Sequence, residues 1–328
     1  MGNQDVGVSG ADSADWLQPM TSVVGQLFIF IAFALLTGCG NSFEKWEVTK
    51  TSSDISWAKF EWTNGLLGGR PYERVTMNIP CSVAEIPNPL TFQLDLGANL
   101  TGLYENTIVG LYPTYPELLG KIKTRNSKIS HYENLNLNFG DYSVTNSKTY
   151  VYNDYGNLQS SNSGDTIHLG TIGADIFQNK VLIIDYPNKQ FAICETVPSD
   201  YTANLIDITL DEVGRVILPM SLDGKSFRIL FDTGSSLFPI ITSMSNSVLF
   251  STSPVVDTIQ VYAWGKLRNV TGRVIDSPVI LAGQTFSHVK VYTTIDDDVS
   301  HDGITGNILF WDKTVVIDFK NKKFGVKW

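Results

Sequence analysis

Short apolar runs rich in Val, Ile, Tyr and Phe succeed one another along the chain, separated by Gly, Asn, Asp and Pro. "RVTMNI" (Arg74–Ile79), "TFQLDL" (Thr91–Leu96), "KVLIIDY" (Lys180–Tyr186), "RVILPM" (Arg215–Met220), "RILFD" (Arg228–Asp232), "HVKVYTT" (His288–Thr294) and "TVVIDF" (Thr314–Phe319) are the clearest. Runs of this length, alternating or continuously apolar, predict β-strands buried on one face or on both. Segments with a 3.6-residue period are scarce; Tyr115–Lys123 and Asp175–Asn179 each have room for one short helix. The predicted class is all-β with minor helix.

The runs recur as a set. Gly173–Ile193 laid over Gly306–Val326 agrees without a gap at Gly173/Gly306, Phe177/Phe310, Lys180/Lys313, Ile184/Ile317, Asp185/Asp318, Asn188/Asn321, Lys189/Lys322 and Phe191/Phe324. The other positions mostly exchange like for like, which predicts an internal duplication. Upstream in each copy an apolar run ends in an acid with glycine two residues later. These are Leu94-Asp95-Leu96-Gly97-Ala98 and Phe231-Asp232-Thr233-Gly234-Ser235. Earlier still, Arg74–Ile79 matches Arg215–Met220. Asp-x-Gly alone is ordinary turn chemistry. A carboxylate closing a core-directed strand is costly without a partner, and the repeat offers each acid the other.

Composition narrows the field. A hydrophobic share of 43% with 17% charged residues describes a globular chain, and 328 residues suffice for one large or two medium domains. The net charge of −9 gives no basic footprint, so nucleic acid is not an expected partner. Near the N-terminus, "LFIFIAFALLTGCG" (Leu27–Gly40) is an apolar block ending in small residues, closer to a signal-peptide core than to a membrane span. Leu36-Thr37-Gly38-Cys39 resembles a bacterial lipobox, which implies an export signal over residues 1–39 and lipidation of Cys39. The mature chain is then an exported, membrane-anchored lipoprotein. No Lys or Arg precedes Lys45, and Met20 is a second candidate start, so a plain N-terminal membrane anchor is the alternative. Outside the cytoplasm Cys81 and Cys194 form an even pair, open either to a disulfide or to two buried thiols.

The duplicated Asp-x-Gly loops and their closing units resemble the aspartic peptidases, the bilobal pepsin-like and retropepsin-like family. Its members carry an Asp-Thr/Ser-Gly loop in each half, followed in the same half by two apolar residues and Gly. Here the second half offers Asp232-Thr233-Gly234-Ser235 with Ile304-Thr305-Gly306, and the first Asp95-Leu96-Gly97-Ala98 with Thr171-Ile172-Gly173. The resemblance covers about residues 70–328. It implies a two-lobed all-β fold, with residues 40–69 a tether or leading segment, 70–200 an N-terminal lobe and 201–328 a C-terminal lobe.

The same resemblance implies that Asp95 and Asp232 are the catalytic pair. Two close carboxylates share one proton; the ionised member takes a proton from water and the other donates to the scissile carbonyl. Gly97 and Gly234 would let the loops turn and bring N–H groups to the carboxylates. Thr233 would send its hydroxyl to the opposite loop, and Ser235 would hydrogen-bond Asp232. Gly173 and Gly306 would mark where each closing strand passes beneath an active loop. Trp264-Gly265 is the candidate flap tip, with its first-half equivalent near Gly120; Phe139-Gly140 is a further candidate, though Gly140 aligns with Gly283. The substrate would be an extended peptide or protein segment held by main-chain hydrogen bonds. No metal or organic cofactor is required, and the four histidines have no ligand spacing. Both acids come from one chain, so a monomer is expected.

Leu96 departs from the pattern, since it lacks the hydroxyl of Thr233. Two functions therefore stand: an endopeptidase, and a catalytically inactive relative that binds a peptide, glycan or protein partner. No Gly-x-Ser-x-Gly elbow is present, and "NGLLGGR" (Asn64–Arg70) lacks the ending of a phosphate loop. Asp296–Asp298, with His301 and Asp302 nearby, read as a solvated loop rather than a cation site.

Overall fold

The computed structural model describes residues 45–51, 55–125, 128–157, 164–263, 266–294, 299 and 301–327. The export segment with Cys39, the flap candidates Trp264 and Gly265, and Asp296–Asp298 lie outside the described residues. Strand makes up 55% against 12% helix, which places the chain in the all-β class. The strands form three sheets.

The first sheet has nine strands, and six of them make a closed ring. Tyr142–Tyr152, Gly102–Tyr104, Ile167–Ile172, Ile86–Leu94, Arg70–Val83 and Lys128–Phe139 pair in that order, and the last pairs back to the first. Alternate residues such as Ile79, Phe92, Leu94, Leu137 and Val144 have no exposed surface and fill the core, as the period of two dictates.

The ten-stranded sheet repeats the pairings that matter. Ile86–Leu94 is antiparallel to Arg70–Val83 and parallel to Ile167–Ile172, with Leu94 opposite Ile172. Lys225–Phe231 is antiparallel to Val216–Leu222 and parallel to Gly303–Thr305, with Phe231 opposite Thr305. In both, the next residue is the acid, and its N–H continues the ladder. Asp95 N donates to Ile172 O and Asp232 N to Thr305 O, each at 2.9 Å.

A six-stranded sheet is built from both halves of the chain. Val181–Asp185 and Thr314–Asp318 are its antiparallel centre, and Ile183 faces Val316. These two residues are also equivalent positions of the sequence repeat. Each strand carries its own hairpin partner outward, Gln190–Cys194 and Lys323–Lys327.

The residues before position 70 belong to this framework. Ala58–Lys59 adds an edge strand to the shared sheet, and Glu61–Leu67 forms a hairpin with Arg70–Val83. The turn uses Gly68 and Gly69 at φ +56° and +79°, where a side chain is strained. The boundary between residues 69 and 70 falls in a hairpin turn, and of the two readings of the leading segment, residues 58–67 follow the strand one. Leu67 and Val75 of this arm are buried among Phe238, Ile241, Ile259 and Tyr292 of the second half. Burial of each such side chain is worth about 1.5–3 kcal/mol.

Cys81 and Cys194 are both free thiols, which removes the disulfide from consideration. They sit on different sheets, Cys81 on Arg70–Val83 and Cys194 at the end of Gln190–Cys194. Burial raises both, the Cys81 thiol to about 12, so neither is poised as a thiolate.

Candidate active site

Asp95 and Asp232 come together where the two strand ends meet, and neither has exposed surface. Each carboxyl rests on the glycine of the opposite loop. A Cβ on Gly97 would lie 2.4 Å from Asp232 Cγ, and one on Gly234 would lie 2.6 Å from Asp95 Cγ. Neither glycine has a positive φ. The demand for glycine is therefore spatial: any side chain would occupy the place of the other loop's acid.

Backbone N–H groups hold the carboxyls. Ala98 N donates to Asp95 Oδ1 at 3.0 Å; Gly234 N and Ser235 N donate to Asp232 Oδ1 at 2.8 and 3.2 Å. Burial pushes the Asp95 pKa well above the usual carboxylate range. The negative charge of Asp232 and the hydrogen bond shared with it add to the rise, while the N–H groups of Ala98 and Gly97 oppose it. Two carboxyls buried against each other's loops cannot both ionise cheaply, so the pair favours a shared proton.

The Ser235 hydroxyl, expected to bond Asp232, makes no hydrogen bond among the described residues. The backbone N–H of the same residue serves Asp232 instead. Thr233 bridges the loops: its Oγ1 accepts from Leu96 N at 2.9 Å and donates to Leu94 O at 2.8 Å. Leu96, fully buried, has no hydroxyl to return the bond.

Gly173 and Gly306 lie where the closing strands run hard against the loops. A Cβ on Gly306 would be 1.9 Å from Ser235 O, and one on Gly173 would be 2.9 Å from Ala98 O. Gly120 lies in the 3-10 helix Pro116–Lys121, one turn before the hairpin Ile122–Arg125/Lys128–Phe139 and not at its tip. Among the described residues no cluster of three or more His, Cys, Asp or Glu could hold a metal ion.

Several residues that bear on the site escaped the sequence. Asn307, fully buried, donates to Thr233 O at 2.8 Å and to Ser236 Oγ at 3.0 Å, and accepts from Tyr186 of the first half at 2.6 Å. Asp175 accepts from Thr101 N and from Trp46 Nε1, each at 2.8 Å. Tyr104 bonds Thr171 at 2.5 Å and Tyr152 donates to Leu100 O at 2.6 Å, which lines the Asp95 side with phenols. Arg215 reaches from the second half to Gly97 O at 3.3 Å. Its one signal in sequence was the alignment with Arg74.

Comparison of the chain with models of known protein families finds no match, nor does comparison with curated proteins, so the functional reading rests on this geometry.

Proposed function

We propose that the chain is an aspartic-type endopeptidase on a two-lobed scaffold that arose by internal duplication. The observation that carries this reading is the pairing of Asp95 and Asp232, each buried against the glycine of the other loop. In the monoprotonated pair the carboxylate takes a proton from a water, whose oxygen bonds to the scissile carbonyl carbon. The other acid gives its proton to the carbonyl oxygen, and the tetrahedral intermediate collapses with proton transfer to nitrogen and breakage of the C–N bond. The substrate is an extended peptide or protein segment, and one chain supplies both acids. With the lipobox reading of Cys39, the work is done outside the cytoplasm at a membrane surface.

Two observations favour a second reading, a non-catalytic protein that binds a peptide, glycan or protein partner on the same scaffold. Leu96 leaves the hydroxyl link between the loops one-sided, and both carboxyls are fully covered. A peptide reaches them only after the segments above them shift.

Cleavage of a mixed peptide library between pH 3 and 7 decides between the two, with Asp95→Asn and Asp232→Asn run beside the unaltered chain. Cutting that both substitutions abolish is the expected result. A folded chain that cuts nothing at any pH hands the case to the binding reading.

A further inference from the structure

We propose that Arg215 is the positioning residue of the first active loop, acting on Asp95 through the Gly97–Ala98 peptide group. Its kinetic consequences rest on the peptidase reading; its effect on the ionisation of Asp95 does not.

The Arg215 side chain is 7% exposed, and two of its contacts bear on the first active loop. Nε donates to Asp211 Oδ2 at 2.7 Å, and Nη1 donates to Gly97 O at 3.3 Å. Gly97 O and the Ala98 N–H are the two ends of one peptide group, and that N–H donates to Asp95 Oδ1. A cation at the carbonyl end draws electron density toward the oxygen and makes the N–H a stronger donor. Hydrogen bonds in series reinforce one another where water is excluded. The guanidinium thus favours the ionised form of Asp95 without touching it.

The guanidinium is itself fixed. Asp211 Oδ1 accepts from Val213 N at 3.1 Å and Arg215 N at 2.8 Å, closing a tight turn. At its corner Gly214 has φ +88°, and a Cβ there would lie 2.6 Å from Gln178 Nε2. Gln178 Nε2 donates to Gly214 O at 3.0 Å and to Ala174 O at 3.2 Å, so the turn of the second half is docked on the first beside Gly173. Burial raises the Asp211 carboxyl, but His301, 3.6 Å away, and the N–H groups and charge of Arg215 outweigh it and hold it at about 2. The clamp stays charged across the pH range in which the acid pair would work.

The second loop has no such contact among the described residues. Arg74 holds the matching place in the repeat, yet its guanidinium lies over the Trp311 ring, 4.9 Å from the centroid. The groups facing Asp95 are Asp232 from the opposite loop and the phenols of Tyr104 and Tyr152, with Asp175 beyond them. Among the described residues Arg215 faces Asp211 and, through it, His301.

The test compares the full chain with Arg215→Gln, Arg215→Lys and Arg74→Gln. In the Gln variant the acid limb of the kcat/KM profile should move to higher pH by about half a unit or more, with kcat down roughly tenfold and KM within about twofold. Arg215→Lys should recover part of the loss, because an ammonium keeps the charge but not the fork. Arg74→Gln should leave the limb in place. An Arg215→Gln variant that melts like the parent and keeps its acid limb overturns the proposal; so does an equal shift from Arg74→Gln. Should the Gln variant not fold, the Lys variant carries the comparison. If the parent chain cuts nothing, the peptidase reading falls alone. The assignment is then decided by a carboxyl ¹³C NMR titration of Asp95: a higher midpoint in the Arg215 variant upholds it, and an unchanged one overturns it.

Discussion

At Leu96 and Thr233 one hydroxyl serves where the repeat has room for two. Thr233 reaches across to Leu94 and Leu96, and Leu96 has no hydroxyl to return the bond, so this link between the loops runs one way. The buried pair above this lock stores an electrostatic cost. The pKa of Asp95 is higher in the folded chain than in the unfolded one, so folded molecules keep a proton that unfolded ones release. Stability is then greatest below the unfolded carboxyl value of about 3.9 and declines as pH rises toward the folded value. Asp95→Asn removes that decline. The variant should be the more stable by on the order of 1–3 kcal/mol at pH 7, the gap closing toward pH 3.5. Thermal denaturation across this range measures it, and an advantage that is the same at both ends contradicts the assignment. The two acids were legible because the repeat set them side by side. Arg215 was not, because equivalent arginines took different directions: Arg74 went to a ring and Arg215 to a carbonyl.

Strands with continuous apolar runs were readable, and short helices and strands rich in Asn, Ser and Thr were not. The closing hairpins Val181–Asp185/Gln190–Cys194 and Thr314–Asp318/Lys323–Lys327 stood out through their continuous apolar blocks. The helices Glu105–Leu111 and Met244–Phe250 have seven residues each, too short to set up a period, and only the second has a side-chain cap, from Ser243. The long hairpin Lys128–Phe139/Tyr142–Tyr152 hid behind its many Asn, Ser and Thr residues, which imitate loop composition. The arm at residues 61–83 turns at Gly68-Gly69, and paired glycines resemble a linker in sequence. Removing everything before Arg70 deletes Phe60 and Leu67, both buried, and strips an edge strand from the shared sheet. A chain beginning at residue 70 should lose near-UV circular dichroism and aggregate, while one beginning at residue 45 keeps it. Equal spectra from the two would refute the structural role of the arm.

For the whole molecule, the shared sheet decides what counts as a folding unit. One apolar core runs through both halves, and the arm of the first half enters the core of the second. Fragments 45–200 and 201–328 made separately should each lack a cooperative melting transition, and mixing them should restore one; two fragments that melt cooperatively alone would show independent halves. The central pairing also sets a timetable. Val181–Asp185 is wholly buried in the finished protein, but its partner Thr314–Asp318 is translated about 130 residues later. At a synthesis rate of about 5–20 residues per second, the apolar strand waits on the order of ten seconds with one edge open. During that wait a second nascent chain offers the same complementary edge, so the risk of cross-pairing rises with how closely ribosomes follow one another on the message.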